Sequence, residues 1–312
     1  MNKCISFFAG PLLILFTLIS CSSLPKDEEQ TPASEVKNQA ATHADTGNKY
    51  FVKGDYDMAL NFFTMSRDLN ISIDNQKGLA ESYNSLGKLY LSWGDMDLAK
   101  EYFAKALEIA DELNLPGLSA RCLSHQGEMA LVSGNTAEAL SFFENGIALL
   151  NEKDDPIGMA ILYHNIAGAY KKQEKYAEAI ISVMNAIRLN EKEIQYSELG
   201  ANHYLLASLY SKQNQYADAV IQAEKALEND KLVENSLGIG QDLYALGLIS
   251  SRMNELEKAH DYFKRSFLVY ETLGVVSKMK QVVKELLSTS EALGWDEKSA
   301  LYTEAMKKLE SL

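Results

Sequence analysis

Apolar residues recur with helical spacing along most of the chain, and short breaks interrupt them at regular intervals. Leu79, Tyr83, Leu86 and Tyr90 follow one another at spacings of three or four residues, which places them on one face of a helix. Gly94 then breaks the run, and glycine is the usual residue at a helix end because it adopts the left-handed conformation at little cost. A second apolar run begins two residues later. The pattern predicts a helix, a tight turn and a second helix.

This arrangement repeats every forty residues. The turn residues are Gly54, Gly94, Gly134, Glu174, Asn214, Asn254 and Gly294. A small residue follows each turn by five positions, at Ala59, Ala99, Ala139, Ala179, Ala219, Ala259 and Ser299. Small residues also recur in the first helices (Gly47, Gly87, Gly127, Ala167, Ala207, Gly247), and phenylalanines in several second helices (Phe63, Phe103, Phe143, Phe263). A single hairpin cannot bury its own apolar face, so the units must stack. We predict an all-α, right-handed α-solenoid of about seven helix-turn-helix units.

The repeated residues resemble a known family. The string LGKLY at 86–90, followed by Gly94-Asp95 and Ala99, is similar to the tetratricopeptide repeat signature, and the period of forty residues resembles the long type of that repeat. HEAT repeats share the period, but the fixed turn residue and the small residue after it favour the tetratricopeptide reading. We expect six units over residues 39–274. Residues 275–312 keep only part of the pattern and are predicted to be a degenerate C-terminal capping repeat.

The N-terminus has the features of an export signal. Residues 1–20 contain Lys3 and an apolar run that is too short for a membrane-spanning helix. The string LISC, ending at Cys21, resembles the bacterial lipobox, which implies cleavage before Cys21 and lipidation of its thiol. An ordinary secretory signal is the alternative. Ser22 follows the cysteine where an aspartate would retain such proteins at the inner membrane, so the resemblance implies the outer membrane, facing the periplasm. The polar residues 21–38 are predicted to be a flexible tether.

Composition narrows the class of function. The formal net charge of −13 argues against a nucleic-acid partner, because such binding depends on lysine and arginine. Removal of residues 1–20 takes away one lysine and no acid, which gives 29 − 43 = −14. Outside the N-terminal leader, Cys122 is the only cysteine after Cys21, so the sequence predicts neither an internal disulfide nor a cysteine-rich zinc site. We expect Cys122 to be a small buried residue.

The sequence contains no motif of a known catalytic site. A phosphate-binding glycine loop, an HExxH string, a nucleophile elbow and paired cysteines are all missing. We therefore predict no enzymatic activity, no cofactor and no metal site. Four histidines lie in first helices, but in different repeats and at shifting positions, which favours packing or groove roles over metal binding. They are His43, His125, His164 and His203.

The family resemblance implies that first helices line a concave groove, with unit positions two, five, nine, twelve and thirteen facing it when Ala40 is position one. The groove residues expected from this are Phe51, Val52, Leu91, Leu131, Val132, Lys171, Lys172, Tyr204, Lys212, Tyr244 and Arg252. The first three units present apolar groups, whereas Lys172, Lys212 and Arg252 form a basic row at one position. Cations that merely offset nearby acids are the alternative explanation. The carboxylate clamp of this family is not expected, because Asn48 and Asn84 lack lysine partners.

These features together predict a membrane-anchored scaffold of the cell envelope that binds a protein or peptide ligand in its concave groove and the membrane through the lipid on Cys21. The alternative is a peptide-binding or small-molecule-binding accessory lipoprotein of an uptake or export system. An enclosed pocket would favour that alternative. Neither the partner nor the envelope process follows from the fold itself.

Overall fold

The computed structural model describes residues 31–311, and this part of the chain consists of α-helices without a β-strand. The predicted signal peptide and Cys21 lie outside the described residues. The helices are α1 (Pro32–Val52), α2 (Tyr56–Ser72), α3 (Gln76–Trp93), α4 (Met96–Glu112), α5 (Pro116–Val132), α6 (Thr136–Leu149), α7 (Pro156–Lys172), α8 (Tyr176–Lys192), α9 (Tyr196–Lys212), α10 (Tyr216–Leu232), α11 (Ser236–Arg252), α12 (Leu256–Leu273), α13 (Val276–Ala292) and α14 (Asp296–Glu310). No helix in residues 31–311 has the length and hydropathy needed to cross a membrane.

The helices pair into seven antiparallel hairpins that stack side by side, so the protein is an α-solenoid of helix-turn-helix units. First helices of neighbouring units pack on one another, as α1 does on α3, α5 on α7 and α9 on α11. No comparable packing joins successive second helices within residues 31–311. The odd-numbered helices are therefore the closer-spaced inner layer and form the concave side, while the even-numbered helices spread over the convex side.

The chain turns with a spacing of twenty residues rather than forty. Helices of 17 residues alternate with turns of two or three residues, both inside a unit and between units. A residue with positive φ ends most helices, at Gly54, Asp74, Gly94, Asn114, Gly134, Glu174, Ile194, Asn214, Glu234, Asn254, Gly274 and Gly294. The six residues by which this repeat exceeds a 34-residue repeat therefore lengthen the helices rather than the turns.

One connection keeps the twenty-residue spacing but has a shorter helix and a longer turn than the others. Helix α6 has 14 residues and ends at Leu149, and residues 150–155 lead into α7. Pro156 occupies the first turn of α7, where its missing N–H costs nothing, and the side chain of Asp155 caps that helix by accepting a hydrogen bond from the N–H of Gly158 at 2.7 Å. The third and fourth units are therefore joined differently from the others.

The N-terminal helix begins earlier than the sequence pattern indicated. The tether was predicted to extend to residue 38, but α1 starts at Pro32. Thr31 accepts a hydrogen bond from the N–H of Ser34 at 3.2 Å, and Pro32 is the first helical residue. A proline is compatible with an extended tether, but directly after a threonine cap it starts a helix.

The αL residue Ile194 offers a test of the turn geometry. A β-branched side chain is unfavourable at its φ of 54°, at a cost of about 1–2 kcal/mol, and the chain itself uses Asn114 at an equivalent turn. We expect Ile194→Asn to raise the free energy of unfolding by about 1 kcal/mol, measured by urea titration. The control Ile221→Asn removes a similarly exposed isoleucine from the middle of α10 and should give no gain. A loss of stability in Ile194→Asn would contradict this assignment of strain.

Glycines in the first helices receive the phenylalanine rings of the second helices. A Cβ built on Gly87 would lie 2.6 Å from Cδ1 of Phe103, a distance that real Cβ atoms do not reach. Gly47 faces Phe63 in the same way. The predicted match of small residues with large ones is therefore found in the structure, and it brings the two helices of a unit close together.

Candidate functional site

The concave side contains a cavity of about 660 Å³ between the inner-layer helices α3, α5 and α7, a size typical of ligand sites. Its walls carry two exposed cations, Lys88 and Arg121, and the carboxyl groups of Glu81 and Asp155. Ile161 adds an exposed apolar group. The site thus combines charged rims with an apolar wall.

The floor of this cavity is made of hydrogen-bonded polar side chains. Asn84, which is 6% exposed, accepts through Oδ1 a hydrogen bond from Nδ1 of His125 at 3.0 Å. Burial, together with the positive charges of Lys88 and Arg121, lowers the pKa of His125 to about 4. The imidazole is therefore neutral at pH 7, and we assign its proton to Nδ1 because Asn84 presents an oxygen.

A second polar group continues the floor toward the next unit. Nδ2 of Asn165 donates to Oγ of Ser124 and to Oε1 of Glu128, both at 3.0 Å. Burial raises the pKa of Glu128. Amide and carboxyl groups from α5 and α7 thus lie side by side beneath the groove.

The predicted basic row lies at the C-terminal ends of the first helices. Nζ of Lys172 donates to the carbonyl oxygen of Leu131 at 2.9 Å, and Nη1 of Arg252 donates to Oγ of Ser211 at 2.7 Å. Each cation thus reaches back one unit to the last turn of the preceding first helix, where positive charge is favourable. Lys212 lines a smaller cavity of about 110 Å³ together with Arg252. Two members of the row therefore have a structural contact, which the sequence did not indicate.

The structure does not bring the other expected groove residues together in one surface. Val52 and Val132 are exposed by 83% and 64%, while Leu131 packs against the core. Phe51 and Leu91 are partly buried, and Lys171 is also partly buried, with a pKa lowered by its burial. Tyr244 packs against Phe263 with ring centroids 5.6 Å apart, whereas Tyr204 lines two of the cavities.

The sequence analysis did not name the two cations of the larger cavity, Lys88 and Arg121. Asn48 and Asn84, which were expected to lack lysine partners, line this same cavity. Arg121 comes from the following unit, at position two, and Lys88 is at position nine. Both residues occupy positions that face the groove in this family. They would have been found if positions two, five and nine had been read out in every unit, as positions twelve and thirteen were.

A cavity of about 400 Å³ lies further along the concave side, between α9 and α11. It is lined by the aspartates Asp230 and Asp242 and by Tyr204. Both carboxyl groups are buried, with their residues 5% and 2% exposed. The groove thus carries cations near its N-terminal part and carboxyl groups near its C-terminal part.

Within residues 31–311, no group of three or more histidine, cysteine, aspartate or glutamate side chains is arranged to hold a metal ion. Cys122 is fully buried, and burial raises the pKa of its thiol to about 12. Because the thiolate is the reactive form of cysteine, this position is chemically inert.

Two segments of the chain match a family model. The family model described as Tetratricopeptide repeat matches residues 39–112 and 158–232. No curated protein sequence matches the chain. The two matched segments flank the irregular connection at 150–155.

Solved structures with the same fold cover most of the chain. The apo form of RapI is 16% identical and aligns with 87% of this chain and 97% of its own, with a TM-score of 0.62. A Rap protein complexed with Competence and Sporulation Factor is 14% identical over 88% of this chain and 75% of its own, with a TM-score of 0.64. PilW, a type IV pilus biogenesis factor, is 17% identical over 78% and 97%, with a TM-score of 0.57. At these identities the likeness concerns the fold.

Proposed function

We propose that this chain, an α-solenoid built of tetratricopeptide repeats, is a scaffold that binds a partner protein through a segment lying in its concave groove. The larger cavity carries the proposal, because it combines free cations, amide groups and an apolar wall on the inner layer. The Rap complex with Competence and Sporulation Factor is an example of this fold in complex with a factor. The cations of the cavity indicate which chemical group of the bound segment would enter it.

We infer that the segment presents a carboxylate to Lys88 and Arg121. These two side chains are exposed and enter no ion pair among residues 31–311, so they are free to meet an anion. An arginine binds a carboxylate through two parallel hydrogen bonds. Ile161, which is 45% exposed on the wall of the same cavity, supplies an apolar contact.

The test is binding of a random octapeptide pool with free C-terminal carboxylates, compared with the same pool amidated. We expect the free-carboxylate pool to be enriched at least about tenfold on the wild type, as for a charge-assisted contact of ~1.5–3 kcal/mol, and this preference to disappear in Lys88→Glu/Arg121→Glu. The control Lys100→Glu/Lys105→Glu makes the same charge change on α4 and should retain the preference. Equal capture of both pools by the wild type would contradict the proposal.

We further propose that the scaffold is held at the bacterial cell envelope by lipid on Cys21. The support is the LISC string after an apolar leader. A lipidated N-terminal cysteine carries several acyl chains, which exceeds what stable anchoring requires. The identity of Ser22 supports the proposal that the anchor lies in the outer membrane and faces the periplasm.

The anchor predicts how the protein partitions. In a detergent phase separation, the wild type expressed in a bacterium should enter the detergent phase, and Cys21→Ser should enter the aqueous phase with unchanged helicity. Mass spectrometry should find the lipid on Cys21 as the first residue of the mature chain. If wild type and variant both remain in the aqueous phase, the anchor proposal is wrong.

The alternative of an accessory lipoprotein that binds a small solute is favoured by one observation, the volume of about 660 Å³ in the larger cavity. This alternative predicts a small solute as the ligand, whereas the scaffold predicts a segment of a protein. A small carboxylic acid such as citrate would then compete with the peptide pool at equal concentration of carboxylate, whereas a scaffold would hold the peptides more tightly than the free acid.

A further inference from the structure

We propose that the cavity between α9 and α11 binds a cationic group, a guanidinium or a primary ammonium, from an arginine or lysine side chain of the segment in the groove. The inference rests on the proposed function, since this cavity lies on the same concave side. It adds a second chemical requirement to the partner, namely a positive charge toward the C-terminal part of the solenoid.

The two carboxyl groups face each other inside the cavity wall. Asp230 lies in the last turn of α10 and Asp242 in α11, and both line the cavity. Oδ2 of Asp242 is buried and has no hydrogen-bond partner among residues 31–311. Burial and the nearby charge of Asp230 raise the pKa of Asp242, so this carboxyl group holds a proton when no cation is bound. A cation with several N–H donors would satisfy both carboxylates in place of that proton.

Among the described residues that line this cavity there is no lysine or arginine. The ion pairs of residues 31–311 involve neither carboxyl group. Asp230 accepts one hydrogen bond, from Nδ2 of Asn235 at 3.2 Å. His164 on the opposite wall is neutral near pH 7, because burial lowers its pKa. The cavity is therefore negative and lacks an internal counter-ion.

Glycines make room in the cavity wall for the carboxyl group of Asp230. A Cβ on Gly200 would lie 2.5 Å from Oδ1 of Asp230, and a Cβ on Gly238 would collide with its Oδ2. Both glycines line the cavity, as does the half-buried ring of Tyr204. An aromatic face beside carboxylates is a favourable environment for a guanidinium or ammonium group.

The repeats provide an internal comparison. At each junction between units, a residue near the end of the second helix is followed twelve positions later by a residue in the next first helix, and we call these two the junction pair. The other junction pairs are uncharged: Asn70 with Ser82, Ala110 with Cys122, Leu150 with Leu162, Asn190 with Asn202, and Tyr270 with Val282. Asn70 and Ser82 satisfy each other through a hydrogen bond of 3.2 Å. Stacking of the units thus does not require two acids, which indicates a different role for Asp230 and Asp242.

The test uses three probes in isothermal titration at pH 7: an acetylated and amidated heptapeptide with one arginine among alanines, its citrulline analogue, and agmatine. We expect the arginine peptide to bind at least about tenfold more tightly than the neutral citrulline analogue, because hydrogen bonds between charged groups are stronger than those of neutral groups. Binding of the cation should release part of the proton held by Asp242, so the measured heat should change between phosphate and Tris buffers.

The matched variant copies another junction of the same chain. Asp230→Asn/Asp242→Ser reproduces the pair Asn70 and Ser82, so it should fold, and it should lose the preference for arginine. Asp218→Asn, at an exposed position of α10, removes a carboxylate outside the cavity and should retain the preference. A second variant, Ala201→Lys, places an ammonium at the cavity wall and should block the arginine peptide.

Four outcomes decide between these possibilities. Equal binding of arginine and citrulline peptides, or undiminished binding in Asp230→Asn/Asp242→Ser, overturns the proposal. Agmatine that binds as tightly as the peptide supports the cation site and shows that a free amine, rather than a peptide side chain, is the occupant. Arginine binding that survives Lys88→Glu/Arg121→Glu, when the carboxylate preference is absent, supports this site even if the proposed carboxylate contact fails.

Discussion

Replacement of Phe103 by alanine is expected to lower the free energy of unfolding by about 3–5 kcal/mol, as for other fully buried phenylalanines. The ring is 0% exposed and lies between Gly87 of its own unit and His125 of the next, with ring centroids of Phe103 and His125 5.3 Å apart. Urea unfolding followed by circular dichroism measures the loss. The control Phe62→Ala removes a half-buried ring and should cost less.

The contact between Gly87 and Phe103 also predicts that Gly87→Ala changes the free energy of unfolding in the direction opposite to that of most Gly→Ala substitutions in helices. In most helices Gly→Ala is stabilising by up to ~1 kcal/mol, but Gly87→Ala should destabilise by ~1–3 kcal/mol because the new Cβ would overlap the ring. In the background of Phe103→Val the same change should become stabilising. The fourth unit already has this combination, with Ala167 and Val183 in its core. A stabilising Gly87→Ala in the wild type would contradict the close approach.

The stability of the wild type is expected to fall as pH rises from 6.5 to 8. Burial and the nearby charge of Asp230 raise the pKa of Asp242 from 3.8 to about 8. Between those values the folded state holds a proton that the unfolded state has lost, so raising the pH favours unfolding, by at most ~1.4 kcal/mol per pH unit. The window starts at 6.5 because lowered histidine pKa values, such as that of His125, act in the opposite direction below it.

Asp242→Asn should remove this slope. The groups that face Asp242 are Asp230, whose pKa is also raised by burial, and the tyrosine Tyr270, whose raised pKa keeps it neutral in the window. Urea unfolding at pH 6.5, 7.25 and 8 for wild type, Asp242→Asn and the exposed control Asp218→Asn gives the comparison. A wild-type stability that is constant or rises across the window would show that Asp242 does not carry its proton there.

The periodic part of the fold could be predicted from the sequence because its causes are local. A turn residue such as Gly94, a cap such as Asp95 and a glycine opposite a phenylalanine all recur at fixed spacing, and the structure contains each of them. The start of α1 was not predicted because Pro32 is compatible with both a tether and a first helical turn. Which one forms depends on the cap at Thr31 and on packing against α2.

The candidate site was harder to predict because it depends on contacts between units. Lys172 and Arg252 were correctly seen to recur, but the sequence gives no indication that each reaches a carbonyl or hydroxyl group forty-one residues earlier. Likewise Asp230 and Asp242 are unremarkable acids on two helices until stacking buries them together. Side chains that meet across a junction can be predicted only after the turn lengths have fixed the rotation between hairpins.

The even spacing of the left-handed residues has a consequence for how such a gene can change. Each helix together with its turn occupies twenty residues, so a hairpin occupies forty. An in-frame duplication or loss of forty codons between Pro156 and Leu273 would therefore join equivalent positions of two hairpins, almost wherever it occurs. Each event would lengthen or shorten the array by one hairpin and leave the neighbouring contacts of the same kind. The segment 150–155 interrupts this equivalence, so exchange across it would join unlike ends. Recombination can therefore alter the distance between the cationic and acidic cavities only in steps of one hairpin, and a partner that contacts both would have to change its length in the same steps.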